Sequence, residues 1–219
     1  MALVAQRRLI GQAIGAALVS KNIAPVLLPW PRRGGLRVFH EQVARSRTTV
    51  GIILCDLGTP DVLGDAESIV GRGNVRWIVL TDSSAGPRWG SVLEAGAVAV
   101  LPTTTSTTGL AAAVHDALRG RSPMPPEVRE RTIEQWRTVA DEQRALVRSL
   151  ERLTHREFEV LGDLYDGKSV RRIATAYGAS EATVRTQVKS LRRKLGVDSQ
   201  LAAVAVYRRA LALFPRARG

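Results

Sequence analysis

A single cysteine, Cys55, in 219 residues excludes an internal disulfide and any cysteine-based zinc cluster. It sits inside an apolar run and reads as a core residue. The three histidines, His40, His115 and His155, are scattered, and no metal-ligand spacing appears. No apolar stretch reaches about 18 residues, so no membrane-spanning helix is expected. Arg7-Arg8 ahead of LIGQAIGAALV loosely imitates a secretory or twin-arginine leader. Ile10, Ala13, Ile14, Ala17 and Leu18 nevertheless fall at helical spacing, and Lys21-Asn22 follow without a small-residue cleavage site. The segment therefore reads as the amphipathic first helix of a cytoplasmic domain.

Acidic residues are scarce: 20 Asp/Glu stand against 32 Lys/Arg, a net charge of +12. The surplus is uneven. Residues 152–219 carry 14 basic against 6 acidic residues, residues 1–122 carry 13 against 8, and residues 123–151 carry 5 against 6. A polyanionic partner is implied, and it should meet the C-terminal third. No basic amphipathic helix with bulky aromatics argues for a membrane surface.

That third holds three helices with marked ends. Thr154 with Glu157 three residues on forms a capping box, and Phe158, Leu161 and Leu164 give an apolar face until Gly167. Ser169 can cap a second, short helix carrying Ile173, Ala174 and Tyr177, with Gly178 placed to end it. Ser180 caps the third, and Glu181 in its first turn suits the helix dipole. Along that helix Val184, Val188, Leu191 and Leu195 recur at 4, 3 and 4 residues and form one stripe. Arg185, Lys189 and Arg192 fall on an adjoining side, with Thr186 and Arg193 beside them. An apolar anchor, a basic outer face and a tight Gly turn before it describe a helix-turn-helix, whose last helix fits the major groove.

Residues 153–197 also resemble the DNA-binding domain of LuxR-type regulators of the NarL/FixJ class. The likeness is carried by Leu153-Thr154, Arg156-Glu157, Val160-Leu161, Gly167, Ile173-Ala174, Ser180, Thr183-Val184 and Lys194-Leu195-Gly196-Val197. Gln187 replaces the family's usual His, and Val170 its common Asn; neither change touches a core or capping position. The resemblance implies that Arg185, Thr186 and Lys189 reach base edges of duplex DNA. Arg171, Arg172, Ser180, Thr183, Arg193 and Lys194 would contact phosphates. A fourth helix, Ser199 to Phe214 with Leu201, Val204 and Leu211, closes the domain and in that family often makes the dimer contact.

Residues 1–120 alternate apolar runs with helical stretches: Leu3-Val4, Val26 to Leu28, Val50 to Leu54, Val75 to Leu80 and Ala97 to Leu101 read as strands. The third is apolar throughout, the type buried on both faces of a parallel sheet. Five βα units imply a doubly wound, flavodoxin-like α/β domain. Its strand ends resemble a receiver domain, with Asp56 as phosphoacceptor, Leu80-Thr81 as the switch threonine and Ala95-Gly96-Ala97 before the fifth strand. Aspartyl phosphorylation needs a divalent cation held by carboxylates, yet the family's acidic pair falls on Ala5 and Gln6. Its lysine falls on Thr103, in a Pro102–Thr108 run without lysine. Ala5, Gln6, Asp56, Thr81 and Thr103 thus read as a vestigial phosphorylation pocket. The plainer alternative makes Asp56 a strand-end carboxylate capping the next loop. Trp30 to Gly35 could cradle an anion between guanidinium groups and glycine amides, or be a plain surface loop.

Residues 121–152 connect the domains. Arg121 to Pro126 breaks structure, and a helix follows from Glu127 to Arg152. Ile133, Trp136, Ala140, Gln143, Val147 and Leu150 form a heptad seam. The seam fits either packing on the chain's own first domain or pairing with a second chain, and pairing is the expectation carried forward.

The sequence thus describes a receiver-like α/β domain (1–120), a helical linker (121–152) and an all-α four-helix helix-turn-helix domain (153–219). The expected function is sequence-specific, homodimeric regulation of transcription from promoter DNA. RNA polymerase and a small-molecule effector are further candidate partners, and neither catalysis nor a cofactor is expected. Control would be independent of phosphorylation, constitutive or exerted by a small molecule. The rival within the class is a conventional phosphorylated response regulator, or a sigma-like factor. The latter would need an aromatic-rich helical segment where residues 1–120 alternate βα. An enzyme is disfavoured because no strand end joins a nucleophile to a positioned base.

Overall fold

In a computed structural model, which describes residues 1–32 and 34–213, the chain divides into two compact units, Met1–Val139 and Ala140–Gly219. The first is built on five parallel strands: β1 (Ala2–Ala5), β2 (Val26–Pro29), β3 (Val50–Leu54), β4 (Arg76–Thr81) and β5 (Ala99–Pro102), in the order β2-β1-β3-β4-β5. Five helices connect and flank them: α1 (Arg8–Val19), α2 (Leu36–Arg45), α3 (Pro60–Val70), α4 (Pro87–Ala95) and α5 (Thr107–Leu118). This is the doubly wound order expected of right-handed βαβ crossovers.

The run Val50–Leu54 is buried throughout because helices cover both sheet faces. Leu3, Ile52 and Ile78 face Leu18, Leu110 and Val114 of α1 and α5. Val4, Ile53 and Val79 face Phe39, Ile69 and Leu93 of α2, α3 and α4. Trp77 is 1 % exposed and lies across Gly51, its register partner, where a Cβ would stand 2.1 Å from the indole ring.

Helix α6 (Pro126–Glu151) begins in the first unit and ends in the second. Met124, Val128 and Ile133 join the core behind α4, and the Arg129 guanidinium donates to the carbonyls of Ala97 (2.8 Å) and Leu93 (3.0 Å) at the end of α4. Gly90 permits this approach: a Cβ there would stand 2.2 Å from the Thr132 carbonyl oxygen and 2.6 Å from Trp136 Cβ. Ile133 and Trp136, expected in a seam between two chains, therefore pack on their own domain. A heptad repeat specifies an apolar stripe but not its partner.

The second unit is four-helical: the end of α6 is followed by α7 (His155–Tyr165), α8 (Val170–Ala176), α9 (Glu181–Leu195) and α10 (Gln200–Leu213). All three expected N-caps are present. Thr154 and Glu157 make the reciprocal capping box, while the Ser169 and Ser180 hydroxyls accept from the amides of Arg172 and Thr183. Gly196 ends α9 in the left-handed region at φ 70°. Val160, Leu161, Leu164, Ile173, Val184, Leu191 and Ala203 form the core. Two large apolar residues of these helices face outward. Phe158 is 39 % exposed, because Val160 takes the inward register, and Leu201 is 79 % exposed in the first turn of α10. The expected helix end at Phe214, like Arg33 of the Trp30–Gly35 loop, lies outside the described residues.

Candidate nucleic-acid interface and phosphoacceptor pocket

Helix α9 buries Val184, Val188, Leu191 and Leu195 and turns its remaining sides outward. Arg185, Thr186, Lys189 and Arg193 are exposed, as are Arg171 and Arg172 at the start of α8. Val170, Arg185, Lys189, Arg192 and Arg193 line a shared groove. Arg185 is held along the helix by Glu181 (3.2 Å), and the Thr186 hydroxyl donates back to the Ala182 carbonyl at 3.0 Å. Lys189 makes no ion pair among the described residues.

Three residues expected on phosphates are already engaged. The Ser180 and Thr183 hydroxyls lie 2.8 Å apart, and Ser180 also accepts the Thr183 amide. Lys194 donates to Glu157 at 2.5 Å, with its side chain only 25 % exposed. Burial alone would raise the Glu157 carboxyl; Lys194, the Thr154 amide and Ser190 instead pull it down to about 2. Lys194 is thus a partly buried counter-ion that ties α9 to the capping box. The partner lies 37 positions away and was invisible to local reading. A second clamp joins α7 to α8: the Arg156 guanidinium stacks 3.3 Å over the Tyr177 ring, and Tyr177 donates to Asp163 at 2.6 Å.

In the first unit, Asp56 follows β3. Its Oδ1 accepts the Gly58 amide (2.7 Å) and the Ser83 hydroxyl (2.9 Å), and Oδ2 accepts the Thr59 hydroxyl (3.4 Å). The Gly58 amide, then Ser83, hold its pKa below the usual carboxylate value. This is the loop-capping geometry of the plainer alternative, and Ser83 is a participant that local reading missed. Thr81 is fully buried, its hydroxyl accepting the amides of Leu57 (3.4 Å) and Ser83 (3.2 Å). Gln6 accepts the Asp56 amide at 3.4 Å, Ala5 packs against Gly11, and the Thr103 amide donates to Thr81 at 2.8 Å. Cys55 beside them is buried, its thiol pushed up to about 12 by that burial and then by Asp56 and Asp82, which disfavours the thiolate.

The donor set does not fit a divalent cation. Asp56 and Asp82 are the recess's only carboxylates, and no group of three or more His, Cys, Asp or Glu clusters among the described residues. Nor is any lysine available to hold a phosphoryl group. The chain's four lysines are Lys21, Lys168, Lys189 and Lys194, so β5 and its surroundings have none under any alignment.

A flavodoxin-like unit joined to a capped helix-turn-helix with an open basic face defines a DNA-binding transcription regulator of the response-regulator type. Residues 151–207 match the family model "Bacterial regulatory proteins, luxR family". The chain is 30 % identical over 165 residues, 74 % of each chain, to the nitrate/nitrite response regulator protein NarP of Escherichia coli (strain K12). It is 29 % identical over 157 residues to the transcriptional regulatory protein YdfI of Bacillus subtilis (strain 168), covering 71 % of this chain and 72 % of that one. The RcsB response regulator of Salmonella typhimurium shares 20 % identity over 94 % of this chain and 97 % of that one, with a TM-score of 0.47. The chain belongs to the LuxR-type (NarL-class) response regulators. No helix among the described residues is long and apolar enough to cross a membrane.

Proposed function

We propose that this regulator acts in the cytoplasm as a homodimer on promoter DNA, without catalysing a reaction, and that its control does not pass through phosphorylation of Asp56. Arg185, Thr186 and Lys189 read base edges, while Arg171, Arg172 and Arg193 neutralise phosphates. Residues 1–120 act as the sensing module, 121–152 as the connection and 153–219 as the DNA-binding module. The exposed Leu201 of α10 supports that helix as the dimer contact, since Trp136 is occupied within its own unit. A two-fold dimer sets half-sites about 10 bp apart.

The observation that carries the reading is the pocket. Gln6 replaces an acid and accepts the Asp56 amide, Asp56 itself caps its loop, and the Pro102–Thr108 run at β5 holds no lysine. Without acids a metal finds too few negative ligands, and the phosphoryl group meets Asp56 unshielded. A fixed conformation, or a small ligand with different affinities for two conformations, takes over control. The test is incubation with a small phosphodonor and Mg²⁺, followed by intact mass and DNA-binding assays. No stoichiometric phosphoryl adduct is expected; an adduct on Asp56 accompanied by tighter binding would restore the conventional phosphorylated regulator.

A further inference from the structure

Beside the Asp56 recess lies a larger cavity of about 390 Å³, at the carboxyl ends of β1 and β2 beneath the first turns of α1. Its floor is the α1-side face of two neighbouring strands, Leu3 and its register partner Leu27. The floor stands open because α1 is seated tightly over β1. Gly11 lies so close to Ala5 that a Cβ on it would stand 2.6 Å from the Ala5 Cβ, and Gly15 packs over Leu3. The outer strand β2 is left short of cover: Val26 is 46 % and Leu27 50 % exposed. Parallel sheets normally have both faces covered, so a half-bare apolar strand beside a cavity is a departure that asks for an occupant.

The mouth has a different chemistry. Gln6, Arg8 and Gln12 ring it, and Trp30 forms the far wall, its indole N–H held by Asp65 at 3.1 Å. Arg8 makes no ion pair among the described residues. The Arg7 N-cap gives α1 no side-chain cap, and the first turn holds no acid, so dipole and guanidinium both favour negative charge. The neighbouring recess is smaller, about 70 Å³, and is lined by Asp56 and Asp82 against the single cation Arg7, which makes it the poorer place for an anion.

We propose that the α1/β2 cavity binds a small organic monoanion with a flat apolar body, its carboxylate or sulfonate on Arg8 and its rings between Leu27 and Trp30. The volume lies within the roughly 300–1,000 Å³ of small-ligand sites. As the input to regulation, this site rests on the phosphorylation-independent reading above, and it supplies the ligand class which that reading needs.

The experiment titrates 8-anilinonaphthalene-1-sulfonate into the full chain and competes it with naphthalene-2-carboxylate or the neutral 2-naphthamide. One saturable site per chain is expected, with the carboxylate competing about tenfold better, the scale of one charge-assisted contact. Arg8→Gln should remove that preference and spare the amide, and Leu27→Trp, which fills the floor at a half-exposed position, should abolish both. Leu118→Gln, on an exposed apolar residue of α5, should change nothing; circular dichroism and melting confirm folding of each variant. Non-saturable binding, equal competition by acid and amide, or equal loss in Leu118→Gln would overturn the site. A phosphoryl adduct on Asp56 would instead overturn the regulatory reading and leave this titration as it was.

Discussion

The two units keep their family inheritance differently. In the DNA-binding unit each marker visible in the sequence has a partner: Thr154 with Glu157, Ser169 with Arg172, Ser180 with Thr183, and Lys194 closing on Glu157. In the receiver-like unit the sheet, the buried Thr81 and the loop around Asp56 are present, while the uncharged Ala5 and Gln6 stand at the end of β1 and the Pro102–Thr108 run holds no lysine. A packed parallel sheet depends on interchangeable apolar residues, and many sequences satisfy it. A metal-assisted site depends on a few particular charges and disappears with two substitutions. Likeness over the whole chain therefore transmits the fold more safely than the chemistry.

The first way to sharpen the contrast is to attack the receiver-like unit where it is still exacting, in its packing. Gly90→Val should force α6 off α4, since the added Cβ meets the Thr132 backbone rather than a yielding side-chain end. A cost of about 3 kcal/mol or more is expected, read as a lower denaturant midpoint with a changed Trp136 environment. An unchanged midpoint would mean that α6 does not rest there.

Next comes the charge pair of the DNA-binding unit. The Glu157 pKa of about 2 lies below the ordinary 4.5, so its stabilisation is complete above about pH 4.5 and fades as pH falls towards 2. The pair should contribute at most about 3 kcal/mol at neutral pH. Glu157→Gln should lower stability at pH 7 and flatten the profile across that acid window. A variant with the wild-type profile would remove Glu157 from this role.

On the recognition face, Arg185→Ala should cost about 1–3 kcal/mol on a specific duplex and relax sequence preference. Arg171→Ala should weaken all sequences alike and reduce the salt slope by about one. Binding to specific and random duplexes over a salt series separates the two, and an unchanged specificity ratio would take Arg185 out of base readout. The smallest effect is expected at the Asp56 pocket: Asp56→Ala should alter DNA affinity by less than about 0.5 kcal/mol, the scale on which distant, uncoupled sites stay additive. A tenfold loss would show that the pocket still communicates.

Legibility in the sequence followed the range of the interaction. Caps at Thr154, Ser169 and Ser180 bond within three residues, and β3 is apolar from end to end, so both could be read directly. The Glu157–Lys194 pair spans 37 positions, and Ser83 reaches Asp56 across 27; neither leaves a local pattern. Phe158 shares the helical spacing of Leu161 and Leu164 yet is 39 % exposed, since spacing fixes a stripe's period but not which side the neighbouring helices cover. Trp136 shows the same ambiguity between a partner chain and the chain's own α4. The α1/β2 cavity had no sequence signal at all, since it is a gap left by the close seating of Gly11.

The placement of the four lysines has a practical consequence for chemistry done on this protein. Amine-directed reagents have Lys21 as the single lysine of the first unit, where the remaining side-chain cations are arginines. In the second, Lys168 is tied to Asp163 and Lys194 to Glu157, each at 2.5 Å. Lys189 alone stands exposed on the recognition helix with no ion pair among the described residues. An acylating label should therefore footprint DNA occupancy at one side chain, with Lys21 as the internal standard. Acylation in the cell would neutralise a proposed base-reading cation and leave the first unit almost untouched.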